Sequence, residues 1–283
     1  MILLLVVSLI WAFSFGLIKG RLSGLDPDAV AALRLAISLA VFLLLFRPGR
    51  VGPRTSLRLA LIGAVQFGAM YLLYQRSYLH LKAYEVALFT ITTPLFVTLA
   101  DAVAERRWSA RFLAAAALSV AGAGVVLWQS TDAAGHLGGF LLVQMANLCF
   151  AVGQVGWRRE RARIPASVGD ASVFALPYAG AVALTGAFTL ASGPWGSFHA
   201  TGLQWAVIAY LGALSSGVCF FLWNVGSTRV NAGTLAAFNN AKIPLGVACS
   251  LLFFGEHADL PRLVAGGGLM AAGVWAAGRR AVS

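Results

Sequence analysis

The sequence predicts an all-α integral membrane protein of ten transmembrane helices, arranged as two inverted five-helix repeats. Three observations lead to this prediction. The 283 residues are 59% hydrophobic and only 11% charged, whereas a soluble domain carries about 25% charged residues. The apolar residues fall into runs close to the ~20 residues that cross a bilayer. A polar, proline-containing span also occurs twice, with Pro94 and Pro244 150 residues apart.

The duplicated element includes more than the two prolines. Residues Ala87–Arg106 and Ala236–His257 each combine polar residues with a proline inside an apolar run, and each ends near an acidic residue. These acids, Glu105 and Glu256, are 151 residues apart, and a Gly/Ala-rich span follows each of them. Such interrupted spans in corresponding positions of two halves are typical of transporters with a mid-membrane binding site. Ten spans give five per half, and because five is odd, the two halves insert in opposite orientations.

The ten spans follow directly from the apolar runs. The first run begins straight after Met1 without a basic segment or a clear cleavage site, which argues against a cleaved signal peptide. We expect the first repeat at residues 1–137 and the second at residues 138–283, with short connections and no separate soluble domain. The predicted spans are Ile2–Ile18, Ala29–Phe46, Leu57–Tyr78, Tyr84–Val103, Phe112–Trp128, Gly138–Trp157, Ser172–Ser192, Leu203–Asn224, Ala232–Phe254 and Pro261–Ala277.

The basic residues between the spans predict the orientation, because Lys and Arg accumulate on the cytoplasmic side. If the N-terminus is cytoplasmic, most of these basic residues lie on the cytoplasmic side, in the clusters 47–58, 106–111 and 158–163 and at Arg279 and Arg280. The opposite side holds few. Both termini are therefore expected in the cytoplasm. The net charge of +11 is then a topology signal, and nucleic acid is not an expected partner.

The chain resembles the drug/metabolite transporter superfamily, EamA type, and within it the bacterial amino acid exporters, including the aromatic amino acid exporter. The matching features are WAFSFGLIK at Trp11–Lys19, AALRLA around Arg34, and two copies of Pro-x(10–11)-Glu before a Gly-rich span. The resemblance implies secondary transport across the bacterial inner membrane, with spans 1, 3, 4, 6, 8 and 9 around a central cavity. Spans 5 and 10 would then be peripheral. Their small-residue stretches, 114–126 and 266–278, predict either packing within one bundle or a homodimer contact.

Lys242 is the sharpest candidate for substrate binding, since a charge at mid-membrane normally faces a cavity. Its ammonium could pair with a substrate carboxylate, or it could be a structural lysine that binds carbonyls or extends to the interface. Asn239 and Asn240 beside it could bind an amino acid, or could join helices. Pro94 and Pro244 are predicted as kink or gate positions, with a static bend as the alternative.

An aromatic face on the third span is expected to complete the site. Its members recur at three- and four-residue steps, so they share one side of a helix. Aromatic residues near a span end also form interfacial belts, which is the alternative for Tyr78. Together these groups would give a mostly apolar pocket with a few polar groups, suited to a small amphipathic ligand. The residues are Tyr71, Tyr74, Gln75 and Tyr78, with Trp11, Gln154 and Trp223 from other spans of the cavity wall.

Other polar residues are expected to have structural roles. Arg34 would tie several carbonyls together, and Glu105 and Glu256 would serve at helix ends. No acidic residue lies deep in a predicted span, so the sequence shows no obvious proton relay. Facilitated diffusion and exchange therefore stand beside proton antiport as coupling modes.

The expected function is export of amino acids or similar small metabolites by alternating access between the repeats. The alternative is a broad exporter of lipophilic drugs or cations, which would favour an acidic cavity. An intramembrane metalloprotease would need an HExxH-like motif, and a channel would need charged rings or a filter loop; the sequence shows neither. Cys149, Cys219 and Cys249 lie in apolar spans without a CxxC motif, so no disulfide, metal site or cofactor is expected. The expected partners are a small-molecule substrate and the lipid bilayer.

Overall fold

The structure is a computed structural model that describes residues 2–105, 110–127, 133–230 and 232–278. Within these ranges the chain folds into α-helices joined in places by short 3-10 or π-helical stretches, and it contains no β-strand. The α-helices are α1 (Ile2–Leu22), α2 (Pro27–Leu43), α3 (Pro53–Gly63), α4 (Met70–Ser77), α5 (Ala83–Phe89), α6 (Thr93–Glu105), α7 (Ala110–Leu127), α8 (Ala133–Arg161), α9 (Ala175–Ser192), α10 (Gly202–Tyr210), α11 (Cys219–Ser227), α12 (Ala232–Phe253) and α13 (Leu260–Gly278).

Three of the helical segments are composite. Helix α3 continues into α4 through the π-helical stretch Ala64–Ala69, and α10 continues into α11 through a second one, Leu211–Val218. Helix α5 continues into α6 through the 3-10 turn Thr90–Thr92. Counted this way, the described residues form ten helical segments, and each predicted span overlaps one of them. The ends differ by a few residues, as expected for boundaries read from apolar runs.

The exposed side chains indicate whether these helices are surrounded by water or by lipid. Ile2, Leu44 and Leu252 are 79%, 86% and 77% exposed, while polar side chains such as Arg34 and Gln66 are buried. Such an arrangement suits a bilayer, where apolar surface needs no burial. In the described part of the chain, six segments are long and apolar enough to cross a membrane: Ile2–Leu22, Pro53–Ser77, Ala83–Ala104, Ala134–Arg161, Asp170–Ser192 and Gly202–Ser227. The protein is therefore an all-α integral membrane protein.

Polar side chains cap several helix starts. Asp26 Oδ1 accepts hydrogen bonds from the amides of Asp28 and Ala29, at 3.0 and 2.8 Å, and so caps α2. The cap of α5 comes from a distant part of the chain, because the Glu256 carboxylate accepts from the amides of Ala83 and Tyr84 at 2.8 and 3.0 Å. Glu256 thus has the helix-end role that the sequence predicts. The side chain of its counterpart Glu105 lies outside the described residues.

Glycines bring helical segments into backbone contact. A Cβ on Gly63 would overlap the backbone of Pro177 in α9, and a Cβ on Gly212 would lie 3.0 Å from the carbonyl oxygen of Arg34 in α2. Ser38 adds a hydrogen bond to the second contact, with its hydroxyl donating to the Gly212 carbonyl at 2.7 Å. Small residues of this kind let membrane helices approach closely and pack by van der Waals contact.

The contact between α3 and α9 supplies a test of this packing. A Cβ on Gly180 would overlap the carbonyl oxygen of Ala60, whereas a Cβ on Gly186, also in α9, meets nothing within 4 Å. We expect Gly180→Ala to destabilise the protein by about 1–3 kcal/mol through overpacking, which lowers the unfolding midpoint in detergent by several degrees. Gly186→Ala is the matched control and should leave the midpoint unchanged or raise it. Equal midpoints for both variants would contradict the close approach of these helices.

Helix α12 runs through Pro244 as one helix, and the kink or gate role of this proline stays a prediction. One missing backbone hydrogen bond does not end the helix, because α12 packs on α1 on both sides of it. Ser8 donates to the Phe238 carbonyl at 2.8 Å before the proline, and after it a Cβ on Gly246 would lie 3.1 Å from the Phe15 side chain. Pro94, in contrast, lies in the first turn of α6, directly after the 3-10 turn, where the missing N–H needs no partner.

The small-residue faces of α7 and α13 pack against each other within the chain. A Cβ on Gly122 would lie 2.5 Å from the carbonyl oxygen of Gly266, and a Cβ on Gly266 would lie 2.5 Å from that of Gly122. This is the first of the two roles predicted for these stretches. A homodimer contact through the remaining faces of the two helices stays a prediction.

Candidate functional site

A cavity lies between the helical segments, a position that is usual for small-molecule sites in helical bundles. Helices α1, α2, α4, α6, α8, α11 and α12 contribute to its wall, together with the 3-10 turn and the second π-helical stretch. The apolar part is largely aromatic. The polar and charged residues of its wall are Ser14, Arg34, Tyr71, Tyr74, Thr90, Thr93, Asn147, Ser215 and Lys242, with the indole of Trp11.

Arg34 is the first of two cations in this wall. Its guanidinium is 1% exposed and donates from Nε to the Ser216 hydroxyl at 3.1 Å and from Nη2 to the Tyr71 hydroxyl at 3.2 Å. Tyr71 in turn donates to Ser216 at 2.7 Å, which fixes the three groups together. The remaining nitrogen, Nη1, has no hydrogen-bond partner among the described residues. Because a buried donor is normally paired, this nitrogen is the natural anchor for an acceptor bound in the cavity.

Lys242 is the second cation. Its Nζ donates to the Asn239 side-chain carbonyl at 3.1 Å and lies 4.9 Å from the centroid of the Trp11 ring. Trp11 is held in place because its indole N–H donates to the Ser215 carbonyl at 3.0 Å. Neither partner of Lys242 carries a negative charge, and among the described residues that line the cavity there is no carboxylate. The wall therefore has a positive electrostatic potential.

A neutral polar wall faces the cations from α6, α8 and the 3-10 turn. Asn147 Nδ2 donates to the carbonyl of Phe89 and the hydroxyl of Thr92, both at 3.0 Å. Its side-chain oxygen accepts from the Thr93 hydroxyl at 3.2 Å. These bonds hold the 3-10 turn against α8, and they place hydroxyl and amide groups opposite the charged side of the cavity.

Four of the ten predicted binding residues line this cavity: Trp11, Tyr71, Tyr74 and Lys242. The structure places the next four behind the wall. Trp223 is 5.2 Å from the Trp11 ring and donates from its indole to Gln154 at 2.7 Å. Asn239 is bonded to Lys242, and it donates to Asn240 at 3.2 Å. None of these four appears in the lining of the cavity.

The remaining two, Gln75 and Tyr78, line a separate cavity near the end of α4. The predicted kink residues Pro94 and Pro244 line neither cavity.

Sequence reasoning missed a set of hydroxyl and amide groups in the wall. A spacing signal for them exists, because each lies on the same helix face as another wall residue. Ser14 follows Trp11 by three residues, and Asn147 precedes Phe150 by three. Arg34 was expected to bind carbonyls, but its described partners are two hydroxyl groups.

Comparison with known proteins gives one family and several full-length relatives. The model of the EamA-like transporter family matches residues 1–128 and again residues 137–278. A Pseudomonas aeruginosa protein named "Probable biotin transporter" is 39% identical over 99% of this chain and 98% of its own length. Proteins named "Biotin transporter" from Escherichia coli K12 and Salmonella typhimurium are 36% and 35% identical, each over 97% of this chain and 92% of theirs. A solved crystal structure that is 20% identical has a TM-score of 0.68 and covers 98% of this chain and 96% of that one, which shows a shared fold.

Proposed function

This chain belongs to the EamA-like transporter family, and we propose that it moves a small organic carboxylate, with biotin as the first candidate, across the bacterial inner membrane. The protein is a membrane transporter and not an enzyme. The proposed mechanism is alternating access between two inverted five-helix repeats, residues 1–137 and 138–283, around the central cavity.

The observation that carries the substrate class is the charge of the cavity wall. Arg34 and Lys242 supply two cations, and no described lining residue supplies a carboxylate. Biotin matches this wall because it has one carboxylate and is otherwise neutral. Its ring system would pack on the aromatic side, and its ureido group would hydrogen-bond to the hydroxyl and amide groups near Asn147. The names of the full-length relatives support the same choice.

The amino acid predicted from the sequence is the second candidate. It shares the carboxylate, so it would use the same cations. Its ammonium, however, would need a counter-charge, and no described lining residue of the cavity carries a carboxylate. An unpaired charge in a buried site costs several kcal/mol. A lipophilic cation is disfavoured more strongly, because it would face Arg34 and Lys242 without a counter-charge.

The packing of the helices supports the proposed repeats. The relation between the two halves is clearest at the glycines that make close backbone contacts. In one contact the glycine belongs to the first half and its partner to the second half, and in the equivalent contact this assignment is reversed. Segments α3–α4 and α10–α11 both contain a π-helical stretch; α3–α4 packs on α9, α10–α11 packs on α2, and α9 and α2 pack on each other. Equivalent contacts keep constant offsets of 149 residues between glycines and 143 residues between their partners: Gly63 with Pro177 and Gly212 with Arg34, then Gly68 with Ala181 and Gly217 with Ser38.

The proposed orientation keeps both termini in the cytoplasm. The basic residues that support it include Arg158, Arg159 and Arg163, which line a wide depression at the end of α8 together with Arg229. Arg106, Arg107, Arg279 and Arg280 lie outside the described residues. The net direction, export in the sequence-based prediction, would follow the substrate gradient and any coupled ion.

Proteoliposome transport tests the substrate class directly. Purified protein would be assayed with labelled biotin, labelled phenylalanine and a cationic dye, each loaded on one side at a time. We expect biotin to cross and to be competed by unlabelled biotin but poorly by its neutral amide, because the amide lacks the charge that Arg34 and Lys242 bind. Transport of phenylalanine without biotin would restore the amino acid exporter, and transport of the dye alone would point to the drug exporter.

A further inference from the structure

The second cavity lies where the end of α1, the start of α2 and the end of α4 meet. Its lining includes Lys19, Ser23, Gln75 and Tyr78. In the proposed topology this is the outer face of the membrane. We refer to it as the outer cavity.

Gln75 is the unusual group in the outer cavity. Its side chain is 3% exposed, and neither its oxygen Oε1 nor its nitrogen Nε2 has a hydrogen-bond partner among the described residues. Buried amides are nearly always paired, because an unpaired one gives up its bonds to water without compensation. A primary amide offers one acceptor and one donor side by side. Its complement is a group with an N–H next to a carbonyl, such as a cyclic urea or a secondary amide.

A narrow partition separates the two cavities. Tyr74 lines the central cavity and Tyr78 lines the outer one, and their hydroxyl groups are hydrogen-bonded at 2.6 Å. Ile18 lines both cavities from the side of α1. A ligand in the outer cavity is therefore separated from the central cavity by the tyrosine pair and one aliphatic side chain.

The outer cavity also has a cation. Lys19 Nζ donates to the backbone carbonyl of Tyr78 at 2.5 Å, and an ammonium has two further donors. Among the described lining residues of this cavity there is no carboxylate. The Glu256 and Glu85 carboxylates, which are outside the lining, interact with this ammonium, so the unpartnered amide of Gln75 is the group that would select a ligand.

We propose that the outer cavity is a second binding site of this transporter, in which Gln75 binds a cyclic urea group through two hydrogen bonds. The substrate occupies it before or after it passes the Tyr74–Tyr78 partition. This proposal rests on the proposed function for the identity of the substrate, biotin, whose ureido ring has the required N–H and carbonyl. The site itself is defined by Gln75 and is open to any small cyclic urea.

Thiol labelling tests the site without transport. Ser23→Cys, in a background with the three native cysteines replaced, would be labelled in proteoliposomes with a membrane-impermeant maleimide. The probes are 2-imidazolidinone, a neutral cyclic urea without an acid, and biotin. We expect both to slow labelling of Ser23→Cys, with the half-protecting concentration raised about tenfold or more when Gln75→Leu is added, because two hydrogen bonds are lost. A cysteine at Ser192, which does not line the outer cavity, should be labelled at the same rate with and without either probe.

The outcomes separate this site from the proposed function. Gln75→Leu should unfold at the same temperature as the wild type or higher, because the amide it removes has no described partner. If neither probe protects, or protection is equal with Gln75→Leu, the outer site is wrong even if biotin is transported. If 2-imidazolidinone protects through Gln75 but biotin is neither bound nor transported, the outer site stands as a cyclic-urea site and the proposed substrate is wrong.

Discussion

Arg34→Met is expected to reduce strongly the preference of the transporter for biotin over its neutral amide. The guanidinium has one nitrogen, Nη1, without a described partner, and Arg34 lines a cavity whose described residues include no carboxylate. Removing one partner of a buried, hydrogen-bonded charge pair costs about 2 kcal/mol or more, which is a rise in Kd of roughly 30-fold. The measurement is equilibrium binding of labelled biotin to the purified protein, with biotin amide as the competitor.

The neutral amide also controls for damage to the fold, since Arg34 contributes to the structure through Ser216 and Tyr71. If the variant lost only its packing, affinity for both ligands would fall together. Arg34→Lys keeps the positive charge but loses the planar guanidinium with its several N–H donors. This variant should therefore recover part of the preference for the acid that is lost in Arg34→Met. An unchanged preference in Arg34→Met would remove Arg34 from the site and leave Lys242 as the sole anion-binding group.

The helices could be predicted because a bilayer imposes a length. Apolar runs near 20 residues must become helices whose backbone groups are paired internally, and the ten predicted spans each overlap a helical segment. Local geometry inside those segments could not be predicted. The π-helical stretch Ala64–Ala69 has no proline to mark it, while Pro244 lies inside the continuous helix α12. Such features depend on the neighbouring helix, here through backbone contacts at glycines such as Gly63.

The candidate site was predictable where chemistry alone singles out a residue. A lysine inside an apolar span normally faces the bundle interior or a cavity, and Lys242 does line the cavity. The tyrosine face of α4 was assigned to the correct helix side, but it extends over two cavities, with Tyr74 in one and Tyr78 in the other. The free donor of Arg34 could not be foreseen, because it depends on which hydroxyl groups of other helices approach the guanidinium.

The substrate class was the hardest step for the same reason. The sequence shows that Lys242 is present, but the lack of carboxylates among the described residues of the wall is a property of several helical segments that meet only in the folded protein. Resemblance to amino acid exporters therefore directed the prediction to a zwitterion. With Arg34 beside Lys242 in the wall, the charges favour a ligand with an acid and no ammonium.

Asn239→Asp is expected to impair biotin binding as strongly as removal of Lys242 itself. Asn239 accepts a hydrogen bond from Lys242 Nζ at 3.1 Å, so a carboxylate at this position would form an ion pair with the ammonium and cancel its potential in the cavity. Lys242→Gln should raise the Kd for biotin about tenfold or more, the effect of losing one charge-assisted contact. Asn239→Asp should match that rise although it keeps the lysine.

Asn239→Leu is the matched control for this pair. It removes the amide but adds no charge, so Lys242 keeps its ammonium over the Trp11 ring and biotin affinity should fall much less than in Asn239→Asp. All three variants would be compared by equilibrium binding of biotin and of biotin amide, and only affinity for the acid should separate them. If Asn239→Leu weakened biotin as much as Asn239→Asp, the amide would be positioning the lysine by its hydrogen bond, and the charge of the cavity wall would not be what selects the substrate.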